Sequence, residues 1–276
     1  MNQLKVSLWY LKRIVQNPCS LEIHLAEHCN LNCIGCSHYA PLAEPGFCDL
    51  EALEESLNKL SKIRKSIGVI RLLGGEPLLN PDAARVFRLV RASFKDVKIE
   101  LVTNGLLLAS DKLPEAFWEE AKRCNVVVGL TVYPVPIYYA AIEALCKKHG
   151  VRVEIYNYTH GQFSLFKLNP EKKGSRWNYY ACGEKECFQL VGNRIYSCPQ
   201  SAYVGYLNRA FGTGFRLEDG DSISIDDISR FKFLRFRLRS RPFCKYCVFP
   251  RPTVAWDHSK RQPEEWIEMS VKSAEQ

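Results

Sequence analysis

The sequence predicts an α/β protein built on a parallel sheet. Five apolar segments of strand length alternate with helical segments between residues 20 and 158. Consecutive parallel strands need crossover connections, which are right-handed and usually helical. The strands read as apolar on both faces, as in a sheet that is covered on both sides. The chain has 276 residues, enough for one large domain or for a domain with a small companion.

The predicted strands are short β-branched or alternating apolar runs that end at turn residues. They cover Ser20–Leu25, Val69–Gly75, Lys98–Gly105, Asn125–Tyr133 and Val151–Tyr158. A sixth, weaker strand is predicted at Phe163–Leu168. The sequence alone leaves open whether the sheet is flat or curled into a barrel.

Helices are predicted between these strands. Leucine and isoleucine at steps of three and four from Leu50 to Ile63 form one apolar stripe. Further helices are predicted from Pro81 to about Phe94, over 114–124, and from about Pro136 to His149. Amphipathic residues 1–15 and the chain end from Arg251 are also predicted to be helical.

The pattern changes after Asn169 to polar, Gly/Pro-rich segments and short hairpins. This change predicts two domains, residues 1–175 and residues 176–276.

Composition restricts the partners and the compartment. The net charge is +8, but the basic residues are scattered, with the densest run at Arg235–Arg241. That run predicts the solvated face of a helix, so nucleic acid is not an expected partner. No apolar stretch reaches the roughly 18 residues of a membrane helix, and the N-terminal residues lack a cleavage site. We therefore expect a cytoplasmic protein with no membrane contact.

Twelve cysteines are many for a reducing compartment, where clustered thiols point to metal binding or catalysis. Three lie close together near the start of the chain and five between Cys182 and Cys247. The isolated remainder are predicted to be small buried side chains, namely Cys19, Cys48, Cys124 and Cys146.

The first group, Cys29, Cys33 and Cys36, has the spacing C-x3-C-x2-C directly after the first strand. A closed structural metal site usually has four protein ligands. Three thiolates leave one coordination position open for a substrate or cofactor. The alternative is a zinc site that His28 or His38 completes, although this spacing is not common in zinc fingers.

This loop, at the start of a βα protein, resembles the radical S-adenosylmethionine (SAM) superfamily. The resemblance implies a partial (β/α)6-type TIM barrel with a [4Fe-4S] cluster on Cys29, Cys33 and Cys36. SAM would chelate the fourth iron, and one electron would cleave it to methionine and a 5′-deoxyadenosyl radical that abstracts a hydrogen atom. A flavodoxin- or ferredoxin-type electron donor would be a partner.

A second motif, Gly-Gly-Glu-Pro, directly follows the second strand. In the superfamily it lies beside the amino group of SAM. Glycines allow close backbone approach, and Glu76 offers a carboxylate to an ammonium. By the same resemblance, Thr103 and Asn104 contact the methionine or ribose, although an Asn-Gly turn explains them equally well. The cofactor-binding residues are thus Gly74, Gly75, Glu76, Pro77, Thr103 and Asn104.

One position departs from the family pattern. Members usually carry an aromatic residue just before the third cysteine, against the adenine, and here this residue is Gly35. The adenine contact is therefore expected from elsewhere, either from Tyr39 or from an apolar residue of the loop.

The second cysteine group is built around a predicted hairpin with Gly192-Asn193 at its turn. Counting outwards from the turn places Cys187 opposite Cys198, with Cβ atoms about 5 Å apart. Cys244 and Cys247 form a C-x2-C pair that completes a four-thiol site.

This arrangement resembles the twitch domain, a shortened SPASM domain, and implies a small C-terminal β-hairpin plus helix domain with a second, auxiliary [4Fe-4S] cluster. Zinc is the alternative. The family spacing leaves the ligand open between Cys182 and Cys187, and the hairpin favours Cys187. Cys182 is then a free thiol that donates a hydrogen atom, as in some radical epimerases, or a structural or substitute ligand.

The function predicted is hydrogen abstraction from a small polar substrate, a sugar or aminocyclitol that is dehydrogenated or epimerised, with the auxiliary cluster transferring electrons. Only about twenty residues precede the first strand, which disfavours a peptide-recognition domain and hence peptide modification. A radical lyase for a nucleobase-like compound and a non-enzymatic zinc scaffold are further alternatives. Aromatic core packing or a substrate pocket would account for Tyr133, Tyr156, Tyr158 and His160.

Overall fold

The computed structural model describes residues 18–156, 162–175 and 177–268. The predicted N-terminal helix and the pocket candidates Tyr158 and His160 lie outside these ranges. The strands are β1 Cys19–Ala26, β2 Ile67–Gly74, β3 Lys98–Thr103, β4 Val126–Thr131, β5 Arg152–Tyr156, β6 Gln162–Ser164, β7 Cys187–Val191, β8 Arg194–Tyr196, β9 Ser222–Ser224 and β10 Thr253–Ala255.

The α-helices are α1 Leu50–Leu60, α2 Ala83–Ser93, α3 Leu106–Ala109, α4 Glu115–Arg123, α5 Tyr139–Lys148, α6 Trp177–Ala181, α7 Pro199–Phe211 and α8 Arg230–Leu238. The side chain of Asp49 caps α1 by accepting from the amides of Glu51 and Ala52. Helices α1, α2, α4 and α5 each connect two consecutive strands of the sheet along the chain, as predicted.

The main sheet has the strand order β5-β4-β3-β2-β1-β7-β8-β9. Strands β1 to β5 pair in parallel, and β7 adds to the other edge of β1, also in parallel. This mixed α/β arrangement confirms the predicted fold class, a partial TIM barrel. The predicted sixth strand forms only at Gln162–Ser164, where it pairs with β10 and not with β5. The position next to β1 is taken instead by β7, which belongs to the predicted second domain.

The two faces of the sheet differ in polarity. The face under the helices is apolar and carries buried Leu21, Ile23, Ile70, Leu72, Ile99 and Leu101. The opposite, inner face carries a charged residue in the middle of three strands, and the register places Glu22, Arg71 and Glu100 side by side. The prediction that the strands are apolar on both faces is therefore wrong, because the inner face carries charged side chains that pair with one another across three strands.

The hairpin β7–β8 has the predicted register, with Val191 opposite Arg194 and Leu190 opposite Ile195.

The basic run Arg235–Arg241 does not form a solvated helix face throughout. Arg237 and Arg241 are buried, and the Arg241 guanidinium lies 3.6 Å from the centroid of the Phe236 ring.

The chain from Arg251 does not form the predicted terminal helix within the described residues. It contains β10, an extended stretch and a 3₁₀ turn at Pro263–Glu265. In the three described ranges, every helix is too short or too polar to cross a bilayer.

Candidate functional site

The three cysteines of the first loop line one cavity of about 220 Å³ at the carboxyl ends of β1 to β4. Gly74, Gly75, Thr103 and Asn104 line the same cavity. The structure thus brings together the predicted cluster ligands and four of the six predicted cofactor-binding residues. Parallel barrels build their sites at this end of the strands.

The two glycines hold the cysteine loop in place. The amide of Gly75 donates to Ala26 O at 2.8 Å, and the amide of Glu76 donates to His28 O at 3.0 Å. A Cβ atom on Gly75 would lie 2.0 Å from His28 O, and one on Gly74 would lie 2.2 Å from Ala26 O. The close approach that requires glycine is therefore between β2 and the backbone that leads into Cys29.

The Glu76 carboxylate is fully buried and is not among the lining residues of the cavity. It accepts hydrogen bonds from the hydroxyl of Thr103 at 2.7 Å and from the amides of Asn104 and Leu78. Burial raises its pKa to about 7, against the opposing effect of these hydrogen bonds. Glu76 and the buried Pro77 thus lie behind the cavity, and in this structure Glu76 orients the end of β3.

Asn104 connects the end of β3 to the cysteine loop. Its Nδ2 donates to Asn30 Oδ1 at 2.8 Å, and its Oδ1 accepts from the amide of Leu106 at 3.0 Å. The hydroxyl of Thr103 accepts from the amide of Gly105. The predicted Asn-Gly turn is present, and both side chains nevertheless line the cavity.

Burial raises the pKa of all three thiols, that of Cys29 to about 11. The metal-free thiols are therefore protonated at neutral pH, and metal binding must release protons. Among the described residues, no three His, Cys, Asp or Glu side chains converge closely enough to hold a single metal ion. Three thiols on one cavity, next to polar Thr103 and Asn104, are a donor set that suits an iron–sulfur cluster with one exposed corner.

The position before the third cysteine has no room for a side chain. Gly35 has a φ of +56°, and a Cβ atom there would lie 2.4 Å from the side chain of Leu165. Tyr39, one of the two predicted sources of an adenine contact, is fully buried against Trp266. Aromatic rings reach the cavity instead from Tyr133 and Phe163.

The second group brings together Cys182, Cys198, Cys244 and Cys247, which line one cavity of about 40 Å³. Arg251 Nη2 donates to Cys182 Sγ at 2.8 Å. Burial raises the pKa of Cys247, and the neighbouring Cys198, Cys244 and Cys182 raise it further. The structure therefore places Cys182 in the four-thiol group and not on the larger cavity, where a hydrogen-atom donor would be needed.

Cys187 lies elsewhere, opposite Ser20 in the β1–β7 ladder. The hairpin pairing ends at Gln189 and Tyr196, because Cys198 already caps helix α7. Burial and the nearby Glu22 raise the pKa of Cys187. The pairing of Cys187 with Cys198, expected from the turn, is not present.

The inner face of the sheet forms a polar layer below the cavity. Its residues Arg71 and Glu100 lie two positions before Leu73 and Val102, which line the cavity, on the same face of their strands. Arg71 Nε donates to Glu100 Oε2 at 2.8 Å, and Arg71 Nη1 lies 3.5 Å from Glu22 Oε1. Tyr156 donates to Glu100. This layer was not predicted from the sequence, although its signal is present there as a single charged residue in the middle of three successive apolar strands.

Two histidines adjoin this layer. His24 stacks on Tyr203, with ring centroids 3.9 Å apart, and its Nδ1 lies 2.9 Å from Glu27 Oε2. His38 lines the cavity, and its Nε2 lies 3.7 Å from Glu22 Oε2. Burial lowers the pKa of His24. Burial alone would raise the pKa of Glu22, but hydrogen bonds from its neighbours hold it below the usual value.

Comparisons with known proteins agree with this site. Residues 23–137, which include the three-cysteine loop, match the family model of the Radical SAM superfamily. A GTP 3′,8-cyclase of Microcystis aeruginosa is 35% identical over 110 residues, which are 38% of this chain and 33% of that protein. A probable GTP 3′,8-cyclase of Methanothermobacter thermautotrophicus is 36% identical over 92 residues, 32% of this chain and 28% of that protein. The chain spans about a third of the length of these curated relatives.

Among solved structures, the crystal structure of BtrN in complex with AdoMet and 2-DOIA is similar over most of the chain. Its TM-score is 0.53 at 13% identity, covering 84% of this chain and 93% of BtrN. At this identity the likeness shows the fold alone. The family match over residues 23–137 and this fold agree with the cavity at the strand ends, which the three cysteines of the matched segment line.

Proposed function

We propose that this protein is a radical SAM enzyme that abstracts a hydrogen atom from a small polar substrate. The observation that carries the proposal is the shared cavity, which Cys29, Cys33 and Cys36 line together with Gly75 and Asn104. The thiols would hold a [4Fe-4S] cluster, and the strand ends would hold SAM. When bound, the cluster supplies the electron that cleaves SAM to methionine and a 5′-deoxyadenosyl radical.

The chain's own residues position this cofactor site. Backbone hydrogen bonds from Gly75 and Glu76 hold the residues before Cys29, and Asn104 holds Asn30 directly after it. The buried Glu76 carboxylate holds Thr103 and the amide of Asn104. These contacts fix the loop before any metal binds, which lowers the ordering cost of loading the site.

Anaerobic reconstitution with iron and sulfide tests this proposal. The wild-type chain is expected to bind iron–sulfur clusters and, with dithionite and SAM, to form 5′-deoxyadenosine. Cys29→Ala should abolish that formation, whereas Cys48→Ala, which removes a half-buried thiol outside both groups, should retain it. Full activity of Cys29→Ala, or bound zinc without SAM cleavage in the wild type, would contradict the proposal and favour the zinc scaffold.

The second group would hold an auxiliary [4Fe-4S] cluster on Cys182, Cys198, Cys244 and Cys247. Its four thiols line one cavity, and Arg251 donates a hydrogen bond to the Cys182 sulfur. Four protein ligands leave no open coordination position for a substrate, so we assign this cluster to electron transfer. The proposed ligand set takes Cys182 in place of Cys187 as the fourth ligand, and in this proposal Cys182 is no longer a free thiol that donates a hydrogen atom.

The polar layer of the inner face supports a substrate rich in hydrogen-bond donors. Within the described residues, Gln189 Oε1 and His24 Nε2 are buried without a hydrogen-bond partner. His24 Nδ1 faces the Glu27 carboxylate and so carries the ring proton, which leaves Nε2 as an acceptor. These acceptors do not line the cavity themselves, but His38, which does, lies 3.7 Å from the Glu22 carboxylate beside them. This connection favours a substrate with hydroxyl and ammonium groups. An amino sugar or aminocyclitol has this chemistry.

Matched probes test the substrate class. Glucosamine, glucose and myo-inositol would each be added to the reconstituted enzyme, and 5′-deoxyadenosine would be measured above the level without a probe. We expect glucosamine to raise this rate more than glucose, because glucosamine has the ammonium group. Equal rates with both sugars would refute the role assigned to the acceptor-rich layer without affecting the cluster proposal.

A second candidate is radical chemistry on a purine nucleotide, because the curated relatives are named GTP 3′,8-cyclase. Their similarity covers about a third of each chain. GTP should therefore be added as a further probe in the same 5′-deoxyadenosine assay. Stimulation by GTP and not by glucosamine would favour this candidate, whereas conversion of a short peptide would favour the peptide-modifying alternative.

A further inference from the structure

The C-terminal strap, residues 256–266, packs directly on the three-cysteine loop. The amide of Ile34 donates to Asp257 O at 2.9 Å, and the amide of Ser259 donates to Asn32 O at 2.8 Å. Between these two hydrogen bonds, Cys33 pairs antiparallel with His258. Further along, Trp266 Nε1 donates to Cys36 O at 2.9 Å. A segment more than 200 residues away in sequence thus covers the loop.

The pairing fixes which strap side chains face Cys33. Directly opposed residues of an antiparallel pair share a face, and so do residues two apart on one extended strand. His258 and Trp256 therefore lie on the Cys33 side. Their rings are in contact, with centroids 4.9 Å apart, and the Trp256 ring lies 6.3 Å from Tyr133, which lines the cavity with Cys33.

The indole nitrogen of Trp256 lacks a partner. Within the described residues, Trp256 Nε1 is buried and makes no hydrogen bond of ordinary geometry. A buried donor without an acceptor is unfavourable, because it has given up its hydrogen bonds to water. Cys33 lies on the same side of the pairing and lines the cavity that Tyr133 also lines. It is therefore the acceptor that the fold offers to the indole.

We propose that the Trp256 indole N–H donates to the Cys33 thiolate once this thiolate is bound to iron, and that Trp256 thereby tunes the reduction potential of the SAM-binding cluster. The inference rests on the proposed function. Hydrogen bonds to cluster sulfurs stabilise the more negative, reduced form and so raise the potential. Trp256 acts through a ligand and is a positioning residue, not a catalytic one.

The test is a redox titration of the reconstituted full chain, monitored by electron paramagnetic resonance. The signal that changes when SAM is added identifies the first cluster. Trp256→Phe should make its midpoint potential more negative without loss of iron. Trp118→Phe removes a buried indole from helix α4, where Trp118 packs in the main core, and should leave the potential unchanged.

A second substitution isolates the hydrogen bond if Trp256→Phe folds poorly. Replacing Trp256 with benzothienylalanine keeps the ring shape and removes only the N–H, and the same negative shift is expected. An unchanged potential with full iron content would overturn the inference, as would an equal shift in Trp118→Phe. Cluster formation and SAM cleavage by the wild type report the proposed function separately, so the two failures are distinguishable.

Discussion

The buried carboxylate of Glu76 should make the stability of the metal-free chain depend on pH. Its pKa is about 7 in the folded state, because burial disfavours the charged form, against a usual value of 4.5. Between these two values the folded chain holds a proton on Glu76 that the unfolded chain has released. Stability from this group is therefore fully present below pH 4.5 and is lost as the pH rises towards 7.

The size of this effect follows from the width of the window. Two and a half pH units at about 1.4 kcal/mol each give about 3.5 kcal/mol. Glu76→Gln removes the titration while keeping the shape of the side chain. The variant should therefore lack this loss, and the free-energy difference between wild type and variant should change by about 3 kcal/mol between pH 4.5 and pH 7.5.

Urea unfolding of the metal-free chain at several pH values measures this difference. The shift in midpoint multiplied by the m-value gives the free-energy difference at each pH. Exposed Glu119 supplies the control, because Glu119→Gln leaves the interior unchanged. A constant difference between wild type and Glu76→Gln across this range would refute the reasoning.

The remaining predictions concern the second cysteine group and the glycine that holds the first loop. Cys244→Ala should lower the reconstituted iron content from about eight to about four per chain, whereas Cys187→Ala should keep it; equal loss in both would return Cys187 to the ligand set. Gly75→Ala should destabilise the chain by about 1–3 kcal/mol, because the new methyl group would lie 2.0 Å from His28 O. Gly214→Ala, at a position with no atom within 4 Å of the added Cβ, should be close to neutral in the same thermal unfolding assay, and an equal effect at both sites would contradict the close-packing argument.

Local patterns predicted the strands well because the energies that form them are local. The first predicted strand, Ser20–Leu25, differs from β1 by one residue at each end, and Lys98–Gly105 differs from β3 only where the Asn-Gly turn begins. The same patterns did not separate the two faces of the sheet. Glu22 and Glu100 are nearly as buried as their apolar neighbours, and only their pairing with Arg71 across the register identifies the polar layer.

The choice between Cys182 and Cys187 depended on structure outside the hairpin. Counting from the turn gave the correct register as far as Gln189 and Tyr196. Beyond that point, Cys187 pairs with β1, and Cys198 begins a helix with Pro199 at its first position. A turn signal specifies only the residues that the turn itself pairs. It therefore could not predict that β1 pairs with Cys187 or that helix α7 begins after Cys198.

The two cysteine groups are held by one continuous piece of chain, and this explains why the end of the sequence carried no recognisable motif. Cys247 pairs with Leu168, and the amide of Leu168 donates to Trp266 O at 2.8 Å, while Trp266 Nε1 donates to Cys36 O. The segment that leaves the second group therefore returns to both groups mostly through backbone contacts, with the Trp266 indole as the side chain that reaches Cys36. Fully buried Tyr39 lies between the groups, and the thiols of Cys247, Cys198 and Cys36 all act with burial to raise its pKa. Because both groups share this apolar cluster and this segment, local opening of the strap would expose the two together, and we expect them to behave as one cooperative unit.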